Sequence, residues 1–359
     1  SILRYPAGHR GQRRVVLTRR VVVTGIGAVT AIGNCWQDAR QRLRAGRNAV
    51  VRMDEWDVYD GLYTRLAAPV AGFSRPEFLN RKQARTMGRV SLMAVSATES
   101  ALRQSGLEGS SLLTSGRVGV AYGSSTGSTD AVMDFSKMLI QKSTTGINAT
   151  TYIRMMSHTA AVNVAVHFGL TGRVITTSSA CTSGSQALGY AFEAISSGRQ
   201  VAILAGGGEE LCPTEAAVFD TLYATSTCND KPELTPRPFD RDRDGLVIGE
   251  GACTFVLEDL DHARSRGAPV LAEVVGFGTN CDGTHVTRPN TNTMRRCMEL
   301  ALDDSGLPPS EIDYINAHGT ATEHGDIAEC QAVSTLFGPN VPMSSLKSFL
   351  GHTLGACGA

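Results

Sequence analysis

The 359-residue sequence has no C-x-x-C pair, no G-x-x-x-x-G-K-[ST] run and no apolar stretch near the roughly 20 residues that span a bilayer. A zinc knuckle, a thioredoxin motif, a P-loop and an integral membrane protein are thereby excluded. Gly25-Ile26-Gly27 lacks the third glycine of a dinucleotide fingerprint. Net charge is also missing, with 34 Lys+Arg against 34 Asp+Glu, so there is no global attraction to phosphate and no nucleic-acid partner is expected. Aromatics make up only 6% and charged residues 19%, neither a signature of disorder. The nine cysteines are odd in number and scattered, which fits a reducing cytoplasm better than a secreted scaffold.

The first twenty residues hold six Arg and no Asp or Glu. Without a long apolar stretch they do not read as a secretory signal. We expect an ordered or appended tail over residues 1–18, with an Arg-rich transit leader as the alternative.

Beyond these absences, the chain holds 38 Gly and many Ala and Val, as in tight α/β packing. Arg20–Gly25, Arg117–Tyr122, Arg173–Thr177, Val201–Ala205, Cys253–Leu257, Val270–Val275 and Tyr314–Ala317 read as strands. Ser91–Gln104 and Ser185–Ile195 carry apolar residues at helical spacing. The alternation predicts an α/β fold with largely parallel sheets. The chain also echoes itself: Ala101–Leu107 (ALRQSGL) recurs as Ala301–Leu307 (ALDDSGL), and each copy leads into a strand ending in a Gly-rich turn. Two related halves packed together are expected. The Pro-rich, charged loop Cys228–Gly245 reads as a surface excursion.

Two segments compete as a nucleophile. Gly123-Ser124-Ser125-Thr126-Gly127 matches G-x-S-x-G after a strand, which would make Ser125 a hydrolase nucleophile. The following Ser128–Asp134 reads as a poor helix, which weakens that reading. Cys181 is the stronger candidate, because it sits between the strand Val174–Thr177 and a helix start. The unpaired N–H groups and dipole of a helix N-terminus favour thiolate there, and the same amides suit an oxyanion. A buried structural cysteine is the alternative. His318 and His352 are its candidate partners, each placed at the carboxyl end of a strand, where open α/β sheets build their sites. A metal site drawn from His318, His324, Asp326 and Glu329 lacks both a Cys pair and an i, i+4 His pair, and no metal is expected. Lys347 either raises the local positive potential, pairs with Glu329, or is a plain surface lysine. Arg81, Lys82, Arg85 and Arg89 fall on one face of a predicted helix, either as a solvated face or as a dock for an acidic partner.

At this point three segments resemble the active-site motifs of elongating β-ketoacyl-acyl-carrier-protein synthases: Ser179–Gly184 (SACTSG), Asn316–Thr322 (NAHGTAT) and Ser348–Ala359 (SFLGHTLGACGA). Ala205–Cys212 and Phe239–Gly251 are similar to that family as well, and the likeness runs from about Arg19 to the last residue. The resemblance implies a thiolase-like fold, two similar βαβ-rich halves in a five-layered αβαβα sandwich, usually a homodimer. Residues 19–260 would form the half with Cys181 and 261–359 the half with both histidines. It implies that Cys181 carries an acyl chain as a thioester, while His318 and His352 stabilise the enolate formed as malonyl carrier loses CO2. Lys347 and Glu329 would be a supporting ion pair, and Thr320 and Thr322 would bind the phosphopantetheine arm. Thr126 would limit acyl-pocket depth, and Arg81, Lys82 and Arg85 would dock the acyl carrier protein. No metal or organic cofactor is implied. Members of the family continue past the His352 motif, so an incomplete second half is expected. A ketosynthase of polyene or polyketide work would use the same residues, and the tract Met53–Tyr63 has no role in the fatty-acid reading. A non-catalytic partner subunit is the remaining alternative, opposed by the presence of Cys181, His318 and His352.

Overall fold

The computed structural model describes residues 18–284 and 288–359. The expected tail, apart from Thr18, lies outside the described residues. Arg19 and Arg20, at its end, are anchored by ion pairs to Asp259 and Glu273.

Six strands form the main sheet in the order Val174–Thr177, Val118–Gly123, Ala202–Glu209, Gly251–Asp259, Val21–Thr30, Ala272–Val274. The first three run parallel, and the remaining pairings are all antiparallel. The sheet is therefore mixed, where a largely parallel one was expected. A buried apolar run marks a strand covered on both faces but carries no sign of its direction. The expected strands all occur, several with longer bounds: Val21–Thr30 and Ala202–Glu209 continue through glycines that apolar periodicity does not count.

Alternation along the strands fixes the layers. Val118, Val120 and Tyr122 face helices Arg89–Ser105 and Thr159–Phe168, whereas Ala121, Ile203 and Leu257 face helix Ser183–Ser196. That helix meets the second half on its far side. A Cβ on Gly189 would lie 2.2 Å from the Phe277 ring, which also packs edge-on to Tyr190. Behind Phe277 lie helices Thr291–Ser305 and Glu323–Phe337, which pack on each other. Helix, sheet and helix are thus followed, beyond the Phe277 segment, by two further helices, in keeping with the expected layered sandwich.

The internal echo is a structural equivalence. A Cβ on Gly25 or Gly27 would strike the backbone of helix Arg89–Ser105 at Ala101 O (2.2 Å) and Ala97 O (2.0 Å). On Gly276 or Gly278 it would meet Ala301 O (2.7 Å) and Cys297 O (2.4 Å) of helix Thr291–Ser305. Between the paired glycines, Ile26 N donates to the Gln104 side chain and Phe277 N to Asp304. Both helices end in a left-handed glycine, Gly106 and Gly306.

Two small sheets carry the site. Ile315–Asn316 pairs in parallel with Met343–Ser344, and Val51–Arg52, Leu66–Ala68 and Ile248–Gly249 form the other. The unassigned tract Met53–Tyr63 folds as a 3-10 turn over Asp54–Val58 that buries Trp56 in the apolar cluster against which Cys181 packs. The loop 228–245 is not a simple surface excursion. Thr235 and Pro236 are buried, and the Phe239 ring approaches Gly319 so closely that a Cβ there would lie 2.9 Å away.

Candidate active site

Cys181 stands at a tight turn between strand Val174–Thr177 and helix Ser183–Ser196. The preceding Ala180 has φ +51°, a left-handed conformation that a residue with a Cβ adopts only when its surroundings impose it. Ser183 supplies that constraint. Its hydroxyl donates to Ala180 O (2.7 Å) and accepts from Ser179 N (2.9 Å), while its carbonyl accepts from the Thr177 hydroxyl (2.8 Å). The turn thus holds the thiol at the helix mouth. In the resting site, however, burial pushes the Cys181 thiol up to about 12, with Cys357 adding to the push and Lys347 opposing it. Burial thus works against the thiolate expected from the helix end.

His352 Nε2 lies 3.0 Å from Cys181 Sγ. The residue is locked as an extra rung beside Ile248, with His352 N donating to Val247 O (2.6 Å) and its carbonyl accepting from Gly249 N (2.9 Å). Its Nδ1 accepts from Leu354 N (3.2 Å), which assigns the ring proton to Nε2, facing the thiol. Helix Lys347–Leu350 separates it from strand Met343–Ser344, so it is not at a strand end as expected. His318 does follow a strand, Ile315–Asn316. The two imidazoles meet edge-on at 5.2 Å, and ligand atoms of Cys181, His318 and His352 all lie within 4.8 Å of one another.

Lys347 and Glu329 hold His318 from two sides without the direct ion pair that was expected. The Lys347 ammonium donates to His318 O (2.6 Å) and stands 3.4 Å from His318 Nδ1. Glu329 accepts His318 N (2.7 Å) and Gly319 N (2.8 Å), and burial raises its pKa against those two amides. Spacing from His352 could not foretell that backbone atoms would take both charged ends. His318 is exposed at the cleft mouth, and the atoms packed on its inner side, then Lys347, lower its pKa. His352 is lowered well below its ordinary value by burial, then by Lys347 and His318. Both rings are therefore neutral, and Lys347 facing Nδ1 leaves the His318 proton on Nε2.

The chain matches the families described as Beta-ketoacyl synthase, N-terminal domain, over residues 18–263 and Beta-ketoacyl synthase, C-terminal domain, over residues 271–359. It belongs to the beta-ketoacyl synthase family. It is 37% identical over 348 residues to the 3-oxoacyl-[acyl-carrier-protein] synthase 2 of Vibrio cholerae serotype O1, covering 95% of this chain and 84% of the relative. Identity is also 37% to a putative polyketide beta-ketoacyl synthase 1 of Streptomyces cyaneus, over 96% of this chain and 84% of that protein. The crystal structure of a beta-ketoacyl synthase from Burkholderia phymatum STM815 superposes with TM-score 0.94 at 56% identity, covering 95% of this chain and 84% of that one. The fold is thus the thiolase-like one of ketosynthases, and the chain is a condensing acyltransferase.

Around the synthase centre, the serine motif has another use. Ser125 donates to Glu209 (2.5 Å) rather than to a histidine, and the segment after it forms helix Thr129–Gln141 rather than a poor helix. Sequence reasoning missed Glu209. This buried carboxylate accepts from Ser124 Oγ, Ser125 N and Oγ, Thr126 N and Gly355 N, tying the serine turn to the His352 segment. Burial raises its pKa while these donors oppose the rise, and each of its contacts needs an acceptor. Asp326 was drawn only as a metal ligand, but it accepts Phe239 N (2.7 Å) and Ala321 N (3.1 Å) and fixes the loop after His318.

Thr320 and Thr322 lie in that loop with their hydroxyls 2.9 Å apart. Arg81, Lys82 and Arg85 are exposed around a 3-10 turn, Gln83–Thr86, instead of along a helix face. Arg89 leaves their stripe, turning inward to Glu250 (2.6 Å) and over the Phe73 ring. Among the described residues, the atoms spaced for a metal are those of Cys181, His318 and His352. The His352 nitrogen facing the thiol carries the ring proton in the tautomer above.

Proposed function

We propose that the protein is a β-ketoacyl-acyl-carrier-protein synthase that extends a Cys181-bound acyl chain by two carbons in fatty-acid biosynthesis. The observation that carries this reading is the convergence on one thiol of two imidazoles with lowered pKa values, the ligand atoms of all three lying within 4.8 Å of one another. Cys181 Sγ attacks the carbonyl of an acyl-carrier thioester, the carrier thiol leaves with the cysteine proton, and an acyl-enzyme remains. The malonyl-carrier carbonyl then accepts hydrogen bonds from His318 and His352 Nε2. As CO2 departs, the electron pair of the broken C–C bond enters the enolate, where those donors are strongest. The carbanion attacks the acyl carbonyl, a C–C bond forms, and Cys181 leaves as thiolate and regains a proton. Neutral donors suit this chemistry because they release the product oxygen once its charge is gone.

The other assignments belong to the same proposal. Thr320 and Thr322 present paired hydroxyls to a phosphopantetheine arm. Arg81, Lys82 and Arg85 form an exposed cationic patch for an acidic carrier. Thr126, beside the Glu209 cradle, walls the acyl pocket. We place the division between the halves at 260/261. The edge strand Val174–Thr177 is open, with Val174 48% exposed, and this supports a homodimer joined there. Among the described residues no helix is long and apolar enough to cross a membrane, and with the free cysteines we read the protein as cytoplasmic. The likeness to the Streptomyces relative keeps a polyketide pathway as a second reading.

The test is intact-protein mass spectrometry after incubation with acyl carrier proteins of several chain lengths, beside Cys181→Ala. An acyl adduct that requires Cys181 is expected. An adduct surviving Cys181→Ala would overturn the assignment.

A further inference from the structure

Helix Pro213–Asp220 forms one wall beside the nucleophile. Its Ala216, Ala217 and Phe219 share an apolar cluster with Cys181, and the Phe219 ring lies 6.3 Å from that of His352. The same helix carries an acid. Glu215 is 5% exposed, and among the described residues its Oε1 meets only the Thr126 hydroxyl, at 3.4 Å. Its Oε2 is buried with no hydrogen-bond partner among the described residues. Buried polar atoms are nearly always paired, so an open one beside an acyl site points to a missing partner.

The neighbouring acids cannot share that partner. Glu209 is filled by its five donors, and Glu210 accepts from Val90 N, Ser128 Oγ, and Thr129 N and Oγ. Burial, and then the charges of Glu209, Cys212 and Glu210, push the Glu215 carboxyl up to about 10. At neutral pH it is an uncharged acid, with one O–H to give and one carbonyl to accept. An uncharged acid among satisfied carboxylates is a poor cation site and a good partner for a neutral oxygen.

We propose that Glu215 is a specificity-determining residue: its open carboxyl oxygen pairs with a hydroxyl or keto oxygen on the acyl chain, so the enzyme prefers oxygenated chains to plain alkyl chains. This rests on the acyl-enzyme reading and names its substrate class, one that fits the polyketide form of that reading rather than the fatty-acid form. A site with a buried group built to hydrogen-bond a substrate oxygen discriminates strongly against the analogue that lacks it, because the site's own group is then left unpaired. A plain alkyl chain would leave Glu215 in that condition.

The experiment compares rates of Cys181 loading from carrier proteins bearing octanoyl, ω-hydroxyoctanoyl and mid-chain oxo-octanoyl groups, read by intact mass. The wild type should load at least one oxygenated chain about tenfold or more faster than octanoyl. Glu215→Gln, which keeps a donor and an acceptor, should retain the preference. Glu215→Leu should erase it while raising octanoyl loading, with Glu215→Met in its place should the leucine variant not fold. Equal loading of all three chains by the wild type, or a preference unchanged in the apolar variant, would overturn the role of Glu215 and leave Cys181 as nucleophile. Failure of every chain to load Cys181 would overturn the acyl-enzyme reading, and this inference with it.

Discussion

Removing the Glu209 carboxylate should unfasten the site from the sheet that supports it. Five donors converge on this side chain, three of them backbone amides: Ser125 N (2.7 Å), Thr126 N (3.3 Å) and Gly355 N (2.9 Å). Hydroxyls can turn to other acceptors, but amides cannot. Leaving a buried donor unsatisfied costs about 1–3 kcal/mol, so stranding three amides in Glu209→Ala should lose about 3–9 kcal/mol. That is a large share of the roughly 5–15 kcal/mol that holds a typical domain. Glu209→Gln separates shape from charge. With its carbonyl at the Oε2 position it still serves Ser125 and Gly355, and its amide can donate to Ser124 Oγ, so only the long Thr126 bond is forfeited. A loss of about 1 kcal/mol is expected there. Urea denaturation of both variants measures these costs, and Cys181 acylation read in parallel reports whether the His352 segment has moved. A cost below about 1 kcal/mol for Glu209→Ala would refute the cradle, because water or a neighbour would then be satisfying the amides as well as Glu209 does.

Cys181→Ala should abolish the acyl adduct, while His318→Ala and His352→Ala should each slow malonyl-carrier decarboxylation by about 10²–10³, the usual effect of deleting one oxyanion donor. With its pKa lowered by crowding and by Lys347, His318 should titrate below the range of a free imidazole, read from its ring C–H signals in an NMR titration. Lys347→Met removes a cation that disfavours the imidazolium, so the His318 pKa should rise toward its ordinary value; an unmoved titration would contradict the electrostatic role of Lys347. Replacing Arg81, Lys82 and Arg85 with Glu should raise KM for carrier substrates and leave kcat and folding intact, whereas an unchanged KM would make the patch an ordinary solvated surface.

Much of this architecture was legible because it is local. Strand cores showed as β-branched runs, and the duplication showed because the ALRQSGL and ALDDSGL copies occupy equivalent helix ends, each closed by a left-handed glycine. The turn bearing Cys181 was legible for the same reason, since the small residues between strand and helix adjoin it in sequence. Strand direction, the inward turn of Arg89 and the partners of Lys347 depend on residues far away along the chain. Glu209 was the hardest to see. In AGGGEELC it reads as one of two acids after a strand, and only the fold brings Ser124, Ser125, Thr126 and Gly355 around it.

The glycines of that same segment explain why the centre is assembled from both halves. A Cβ on Gly207 would lie 2.2 Å from Gly355 O, and one on Gly184 would lie 2.8 Å from Ala359 N and 3.1 Å from Gly355 O. The segment after His352 is therefore laid directly on a strand of the first half and against the helix that follows Cys181. Its approach is permitted only where side chains are missing. Contact at backbone distance leaves little room for a shift, which helps to hold Nε2 and Sγ at their 3.0 Å separation. Glu209 adds a polar clasp between these surfaces through Gly355 N (2.9 Å), beside that of the Cys357 thiol on Cys181 O (3.3 Å). The geometry of the candidate site is in this sense a property of the glycines and of Glu209 as much as of Cys181, His318 and His352.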